Sequence, residues 1–416
     1  MEDVPSPVAE RDWSELPADI LIRLFGALEI PDLLSSSAVC QSWNTHSSTA
    51  RRLGLCTGNQ GPWLLYSSRD SDGNTATLLR LSNNRVHCIT SLPEPSFRTR
   101  YIIGSSHGWL IAADEQSELH LFNPVTRAQI ELPPLMTLEP VRFVYRKNKE
   151  FVGHAIYNVT PVTPSPDYQR WVPNYPAPAT RFKLYNRAVL SSDPSDANCI
   201  VVIIHNPSCQ LSFARIGDCR WTWVNLRYHC INYHDCIYND EDGLFYVLGR
   251  CGDLTTFDLN RPDPVMNFIL DPFELHMHCT KYLAKAPWGD LLQVWRYHDV
   301  CEDDESKTYK VVVYKIDLPK QEIVEIKDLR GHALFVGFSS SFFVPVIDFP
   351  SLSPNCVYLA HDSAKSKAIP DKSILKEVVV FNMEDESLSD ISSTLPNAWH
   401  DIPSPVWFKP SLAQAN

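Results

Sequence analysis

Apolar residues between Trp13 and Trp43 recur at helical intervals, whereas those beyond Trp63 come in short runs broken by Gly, Pro, Asn and Asp. Leu16, Ile20, Leu21, Leu24, Phe25 and Leu28 share one broad face at helical spacing, which predicts a helix from about Pro17 to Leu28. Pro17 suits the first turn, where its missing N–H costs nothing, and Asp19 favours the positive end of the helix dipole. Pro31 interrupts, Asp32 begins a new N-terminus, and Leu33, Leu34, Ala38, Val39 and Trp43 restart the spacing. Two or three short helices in roughly forty residues bury too little surface to be secure alone. Their apolar face therefore calls for cover from the next domain or from another protein. The polar stretch His46 to Gly61 reads as a short helical exit and a linker.

From Trp63 to about residue 393 the runs have the character of an all-β domain. One frame recurs. Trp109 to Ala112, Leu119 to Asn123 and Ala128 to Leu132 are separated by turns, and Leu244 to Leu248, Leu254 to Leu259 and Val265 to Leu270 repeat the arrangement. One strand of each copy ends in a bulky residue before a polar one: Leu79-Arg80, Phe122-Asn123, Phe213 before Ala214-Arg215, Phe257-Asp258, Tyr314-Lys315 and Phe381-Asn382. Their separations of 43, 91, 44, 57 and 67 residues sit near or above the 40 to 50 residues of one four-stranded propeller blade. The longest gap holds either a seventh blade or an insertion. Residues 159–180 are too rich in proline for a central strand, so six blades with an exposed proline-rich loop is the preferred expectation. Cys301 to Ser306, CEDDES, reads as a solvated acidic hairpin loop.

With 44% hydrophobic and 11% aromatic residues, the 416-residue chain has material for a substantial core. Its net charge of −12 argues against a nucleic-acid or anionic-membrane binder, which needs a basic footprint. No run approaches a membrane span, and residues 1–10 lack the pattern of a signal peptide. Twelve cysteines without CxxC pairs suggest reduced thiols in the cytoplasm or nucleus.

Several residues invite catalytic or ligand readings. Gly104-Ser105-Ser106-His107-Gly108 fits G-x-S-x-G, yet the strand-like Trp109 to Ala113 follows where a nucleophile elbow needs a helix, so a β-turn is expected and not catalysis by Ser106. His229, Cys230, His234 and Cys236, with His276, His278 and Cys279, are zinc-ligand types, but their spacing is not that of a standard site and strands alternate faces. Neither a metal nor a cofactor is expected. Arg142, Arg146, Lys147 and Lys149 form the compact basic run, read as a solvated turn between strands. Trp171, Trp221, Trp223, Trp288 and Trp295 supply bulk for blade cores or aromatic anchors for a binding face.

The run Leu16-Pro17, Asp19-Ile20-Leu21, Phe25, Leu28, Asp32-Leu33-Leu34, Val39-Cys40 and Trp43 resembles an F-box, the motif that binds the Skp adaptor of SCF-type ubiquitin ligases. His107-Gly108-Trp109-Leu110 leading to Phe122-Asn123-Pro124, then residues 331–337, Asn355 to Tyr358, and Trp407 to Ser411 resemble the KIB-type, kelch-like propeller of many plant F-box proteins. Together the resemblances imply a small all-α F-box at residues 11–50, a linker at 51–61 and an all-β propeller at 62–411. They imply a non-catalytic substrate receptor, joined to a cullin through the adaptor and carrying an unidentified target protein. The adaptor-binding residues so implied are Leu16, Pro17, Ile20, Leu21, Phe25, Leu33, Leu34, Val39, Cys40 and Trp43. The alternative is a propeller interaction or ligand-sensing module that does not engage a ligase.

Overall fold

The computed structural model describes residues 12–56, 60–81, 83–157, 174–207, 209–224, 232–261, 263–273, 279–299, 307–360, 362, 377–392 and 402–412. The chain separates into two compact units, residues 1–61 and 62–416.

The first unit is helical. A 3-10 turn, Trp13–Glu15, leads to α1 (Ala18–Ala27), α2 (Ile30–Ser37) and α3 (Gln41–Arg52). Pro17 is the N-cap of α1, and Pro31 falls in the first turn of α2, where its ring is tolerated. The end of the stretch expected to be a linker is tied back instead: Leu55 N donates to Ala50 O at 3.0 Å, and Gln60 Oε1 accepts from Ile30 N at 2.9 Å at the start of α2.

Among its described residues the second unit contains seven sheets, antiparallel but for one parallel pair. Sheet A orders Val406–Phe408, Trp63–Tyr66, Ala76–Arg80 and Arg85–Ile89, so the end of the chain supplies a strand beside the first one. Sheet B runs Tyr101–Ser106, Trp109–Ala113, Leu119–Phe122 and Gln129–Glu131. Sheet C comprises Tyr185–Leu190, Ile200–His205, Gln210–Arg215 and Thr222–Trp223, and sheet D Tyr233–Asn239, Leu244–Gly249, Leu254–Asp258 and Val265–Leu270. Sheet E follows with Cys279–Lys285, Leu291–His298, Thr308–Asp317 and Glu322–Glu325. Sheet F orders Phe342–Pro345, His332–Val336, Cys356–Ala360, Val378–Asn382 and Leu388–Asp390.

Apolar layers join these sheets in sequence. Ile103 and Ile111 of B meet Ala188 and Val201 of C; Val202 and Phe213 of C meet Cys236 and Val247 of D. Leu248 of D meets Leu283 of E, Val294 of E meets Leu334 of F, and Phe335 of F meets Leu64 and Trp407 of A. Sheets A and B touch through Val406–Phe408 and Tyr101–Ser106. Gly104 allows a close approach of B to C, since a Cβ there would fall 2.2 Å from Ala188 O.

The bulky-polar landmarks each fall on the strand next to the outer edge of sheets A to F. The long gap between Phe122 and Phe213 contains a three-stranded sheet, Asn174–Tyr175, Phe151–Ile156 and Val141–Tyr145, and helix α4 (Ala177–Leu184). This sheet is an addition between B and C, because Tyr101–Ser106 and Tyr185–Leu190 still contact each other directly. The proline-rich stretch expected as a loop is corrected at its end: residues 174–175 form a strand and 177–180 open α4, where Thr180 and Arg181 are buried. Pro178 lies in the first turn of that helix, a position where its missing N–H is harmless. Residues 159–173 and 301–306 lie outside the described residues.

Buried charge spans four of the sheets. Arg187 of C pairs with Asp235 of D at 3.3 Å and with Asp362 at 3.2 Å, and its Nη1 donates to Gly337 O at 2.7 Å. Arg296 of E pairs with the same Asp362 at 3.2 Å and with Glu377 beside sheet F. Tyr282 OH donates to Asp362 Oδ1 at 2.7 Å, while Leu283 N donates to Asp235 Oδ2 at 2.8 Å. Burial pushes the Asp235 carboxyl up, opposed by the Arg187 guanidinium and two backbone donors. Replacing Arg296 with Met leaves the buried Glu377 without its ion pair and Asp362 with Arg187 as its remaining cation, so urea unfolding is expected to show a loss of about 3–5 kcal/mol. A loss below about 1 kcal/mol would mean that the sheets do not depend on this charge cluster.

Two buried histidines are held neutral. His120 faces the buried Arg100 guanidinium and is pushed down to about 3 by burial first and by that charge second. Burial pushes His205 down to about 4; its Nδ1 lies 3.1 Å from Asn206 O, and its Nε2 lies 2.8 Å from Ser212 Oγ. Both folded-state values lie below the unfolded value near 6.5, so this contribution is complete above that pH and is lost as pH falls toward about 4. These two protons, with a third from His234, which burial also pushes down to about 3, predict that unfolding free energy drops by roughly 4 kcal/mol per pH unit within that window. Denaturant midpoints at pH 7 and pH 5 test this, and His120→Gln with His205→Gln should remove about two thirds of the dependence.

Candidate functional site

In the first unit, the sequence-expected contact residues divide into an inside and an outside. Leu21 and Phe25 of α1, one turn apart, are 0% and 2% exposed and, with Ile30 and Leu33 of α2 and Ala50 of α3, make up the buried apolar set. Trp43 packs its ring edge-on to Phe25, with centroids 5.7 Å apart, and its Nε1 donates to Trp13 O at 3.0 Å. Cys40 is the N-cap of α3, its Sγ accepting from Trp43 N at 3.5 Å. Leu21, Phe25 and Leu33 are thus interior residues that hold the helices together.

The other named positions face outward to different degrees. Ile20 and Val39 are 43% and 64% exposed, Pro17 is exposed, and Leu16, Leu34, Cys40 and Trp43 are half-buried. Leu24, missing from the ten expected residues, is 51% exposed one turn after Ile20. Its place in the apolar repeat was visible, but periodicity alone cannot tell which flank of a broad stripe the helix keeps for itself. Among the described residues, 18 large apolar side chains are exposed, and Trp13, Ile20, Leu24, Val39, Leu53 and Leu55 lie in the small helical unit. Six of the 18 thus fall in one short unit, which makes them candidates for a contact.

The second unit bears out the turn reading of the serine motif. Tyr101–Ser106 and Trp109–Ala113 form a hairpin, and Ser106 Oγ lies 2.8 Å from His107 Nδ1. Gly108 has a φ of +79°, and a Cβ there would sit 2.2 Å from Ser411 Cβ. Cys236 and Cys279 are buried, and burial pushes His234 down to about 3, assisted by Lys281, Arg250 and Arg187. No group of three or more His, Cys, Asp or Glu able to hold a metal occurs among the described residues. His229, Cys230, His276 and His278 lie outside them, as does Trp171. Arg142 and Arg146 pair with Glu139 and Glu150 at the exposed hairpin of the added sheet, with Lys149 at its turn. Trp221 and Trp295 are core residues, Trp221 Nε1 donating to Pro133 O at 2.8 Å; Trp223 and Trp288 are half-buried.

No helix among the described residues is long and apolar enough to cross a membrane. Comparison with known proteins matches residues 13–53 to the F-box-like family and residues 78–382 to the KIB1-4 beta-propeller family. An F-box protein of Arabidopsis thaliana is 22% identical over 430 aligned residues, covering 96% of this chain and 97% of its own. A second from the same plant is 21% identical over 439, covering 97% of each. An F-box-like helical unit with exposed apolar residues precedes sheets that match a propeller over most of the chain, and the protein belongs to the KIB1-4 beta-propeller family.

Proposed function

We propose that this chain is the substrate-recognition subunit of an SCF ubiquitin ligase, with its helical unit docking on a Skp-type adaptor and its propeller holding a target protein. The observation that carries this reading is the apolar exposure of the F-box-like unit at Ile20, Leu24 and Val39. Pro17 and the half-buried Leu16, Leu34, Cys40 and Trp43 border that contact, while Leu21, Phe25 and Leu33 support it from inside. The F-box is assigned to residues 11–50 and the propeller to 62–411, with sheets A to F as six blades and the three-stranded sheet as an insertion.

The mechanism is positioning. A cullin joined through the adaptor brings the ubiquitin-charged enzyme near, and the propeller keeps the target within reach, which raises effective concentration without bond chemistry in this chain. Large exposed apolar side chains suit the adaptor contact, because each desolvates on docking and leaves no buried charge behind.

Capture of a purified Skp-type adaptor by the full chain tests the proposal. Ile20→Asp with Leu24→Asp is expected to weaken capture by at least about 100-fold while leaving the helices folded, because two desolvated contacts become buried charges. Leu21→Ala removes core volume instead, and a loss of about 2–5 kcal/mol of unit stability should accompany any loss of capture. Undiminished capture by the double aspartate variant would sink the proposed surface.

A further inference from the structure

After the strand His332–Val336, the chain leaves sheet F and reaches sheet B. Ser340 N donates to Ser105 O at 2.9 Å, and Ser339 forms a parallel bridge with Ser105. The segment after Val406–Phe408 runs to the same corner: Asn123 Nδ2 donates to Ser411 O at 3.2 Å, and Ser411 packs against Gly108. Lys409 Nζ lies 4.4 Å from the ring centroid of Phe342, which directly follows Ser341. Sheets A, B and F thus bring Ser339, Ser340, Ser341 and Lys409 to one end of their adjoining strands.

Two independent features point to a ligand there. Ser339 is 1% exposed, and the Oγ atoms of Ser339, Ser340 and Ser341 are all buried without a hydrogen-bond partner among the described residues. Buried hydroxyls in folded proteins are normally satisfied, so three in succession need an explanation. Lys409 is half-buried, no carboxylate among the described residues pairs with it, and burial pushes its ammonium down. Hydroxyls and an ammonium left with donors to spare make the donor set of an oxyanion. The acidic groups Asp193 and Asp240, which follow strands of sheets C and D, act on His107, beside Gly108 on the sheet B side of this corner.

We propose that the corner formed by Ser339, Ser340, Ser341 and Lys409 binds a phosphate group. Lys409 supplies the countercharge, and the serine hydroxyls donate to the phosphate oxygens. This site lies in the propeller and does not rest on adaptor docking by the helical unit.

Thermal unfolding of the full chain in a phosphate-free buffer tests it, with inorganic phosphate titrated to about 20 mM against sodium chloride of equal ionic strength. A saturable rise in midpoint with phosphate is expected, absent in Lys409→Met and requiring about 10-fold more phosphate in Ser339→Ala with Ser341→Ala. An equal rise with chloride, or a full response retained by Lys409→Met, overturns the site. If Lys409→Met does not fold, the double serine variant decides: an unchanged titration is then the overturning result. A short phosphoserine peptide, beside its unphosphorylated form, separates the sources. Tighter binding than inorganic phosphate assigns the group to a protein partner, equal binding assigns it to a free phosphate ligand, and failure of both probes rejects the proposal.

Discussion

A guanidinium buried among apolar strands is stable only where carboxylates and carbonyls answer its N–H groups. Arg187 and Arg296 impose that condition on sheets C, D, E and F at once, through Asp235, Asp362, Glu377 and Gly337 O. Asp362 is the shared member: one carboxylate oxygen faces Arg187, and the other faces Arg296 and Tyr282. Apolar layers between neighbouring sheets could tolerate small slips, because dispersion is not directional. Bonds from charged groups at 2.7–3.3 Å are far less tolerant, so they fix how these sheets stand to one another.

Sheets A and B are joined by different means. Trp407 Nε1 donates to Tyr358 O at 3.1 Å across to sheet F, and Arg127 Nη2 donates to Thr90 O at 3.2 Å between B and A. Arg100 is fully buried within this region, donating to Pro93 O at 2.9 Å and Pro95 O at 3.0 Å and lying over Phe122 at 4.1 Å. With neutral His120 as a further neighbour, burial brings Arg100 down to about 10. The helical unit uses none of this charge in its centre. Its core is Leu21, Phe25, Ile30, Leu33 and Ala50, and such a small core leaves apolar side chains for a partner to cover.

Much of this organisation was legible from side-chain period and turn chemistry. The helical spacing from Leu16 to Leu28 foretold α1 nearly to its ends, and the bulky-polar strand endings marked sheets A to F one by one. The exposed proline-rich stretch was legible only in part, because prolines 176 and 178 read equally well as loop residues and as the opening of α4. The ion cluster was not legible at all. Its members lie as far apart as Arg187 and Glu377, and nothing local distinguishes Arg187 in Tyr185–Leu190 from a solvent-facing arginine in a half-exposed strand. In the helical unit, residue types identified the motif, but the division between Leu21 inside and Ile20 outside required the helix to be placed against its neighbours.

Sheet A pairs its first strand, Trp63–Tyr66, with Val406–Phe408 from far along the chain, Leu64 standing opposite Trp407. During synthesis, Trp63–Tyr66 emerges from the ribosome long before Val406–Phe408 exists, and one side of that strand has no mate while residues 67–405 are made. An open strand edge is a template for pairing with other chains. Arrival of Val406–Phe408 therefore acts as an inspection of everything made before it: synthesis stopped short of these residues leaves an adhesive edge, and this strand seals it.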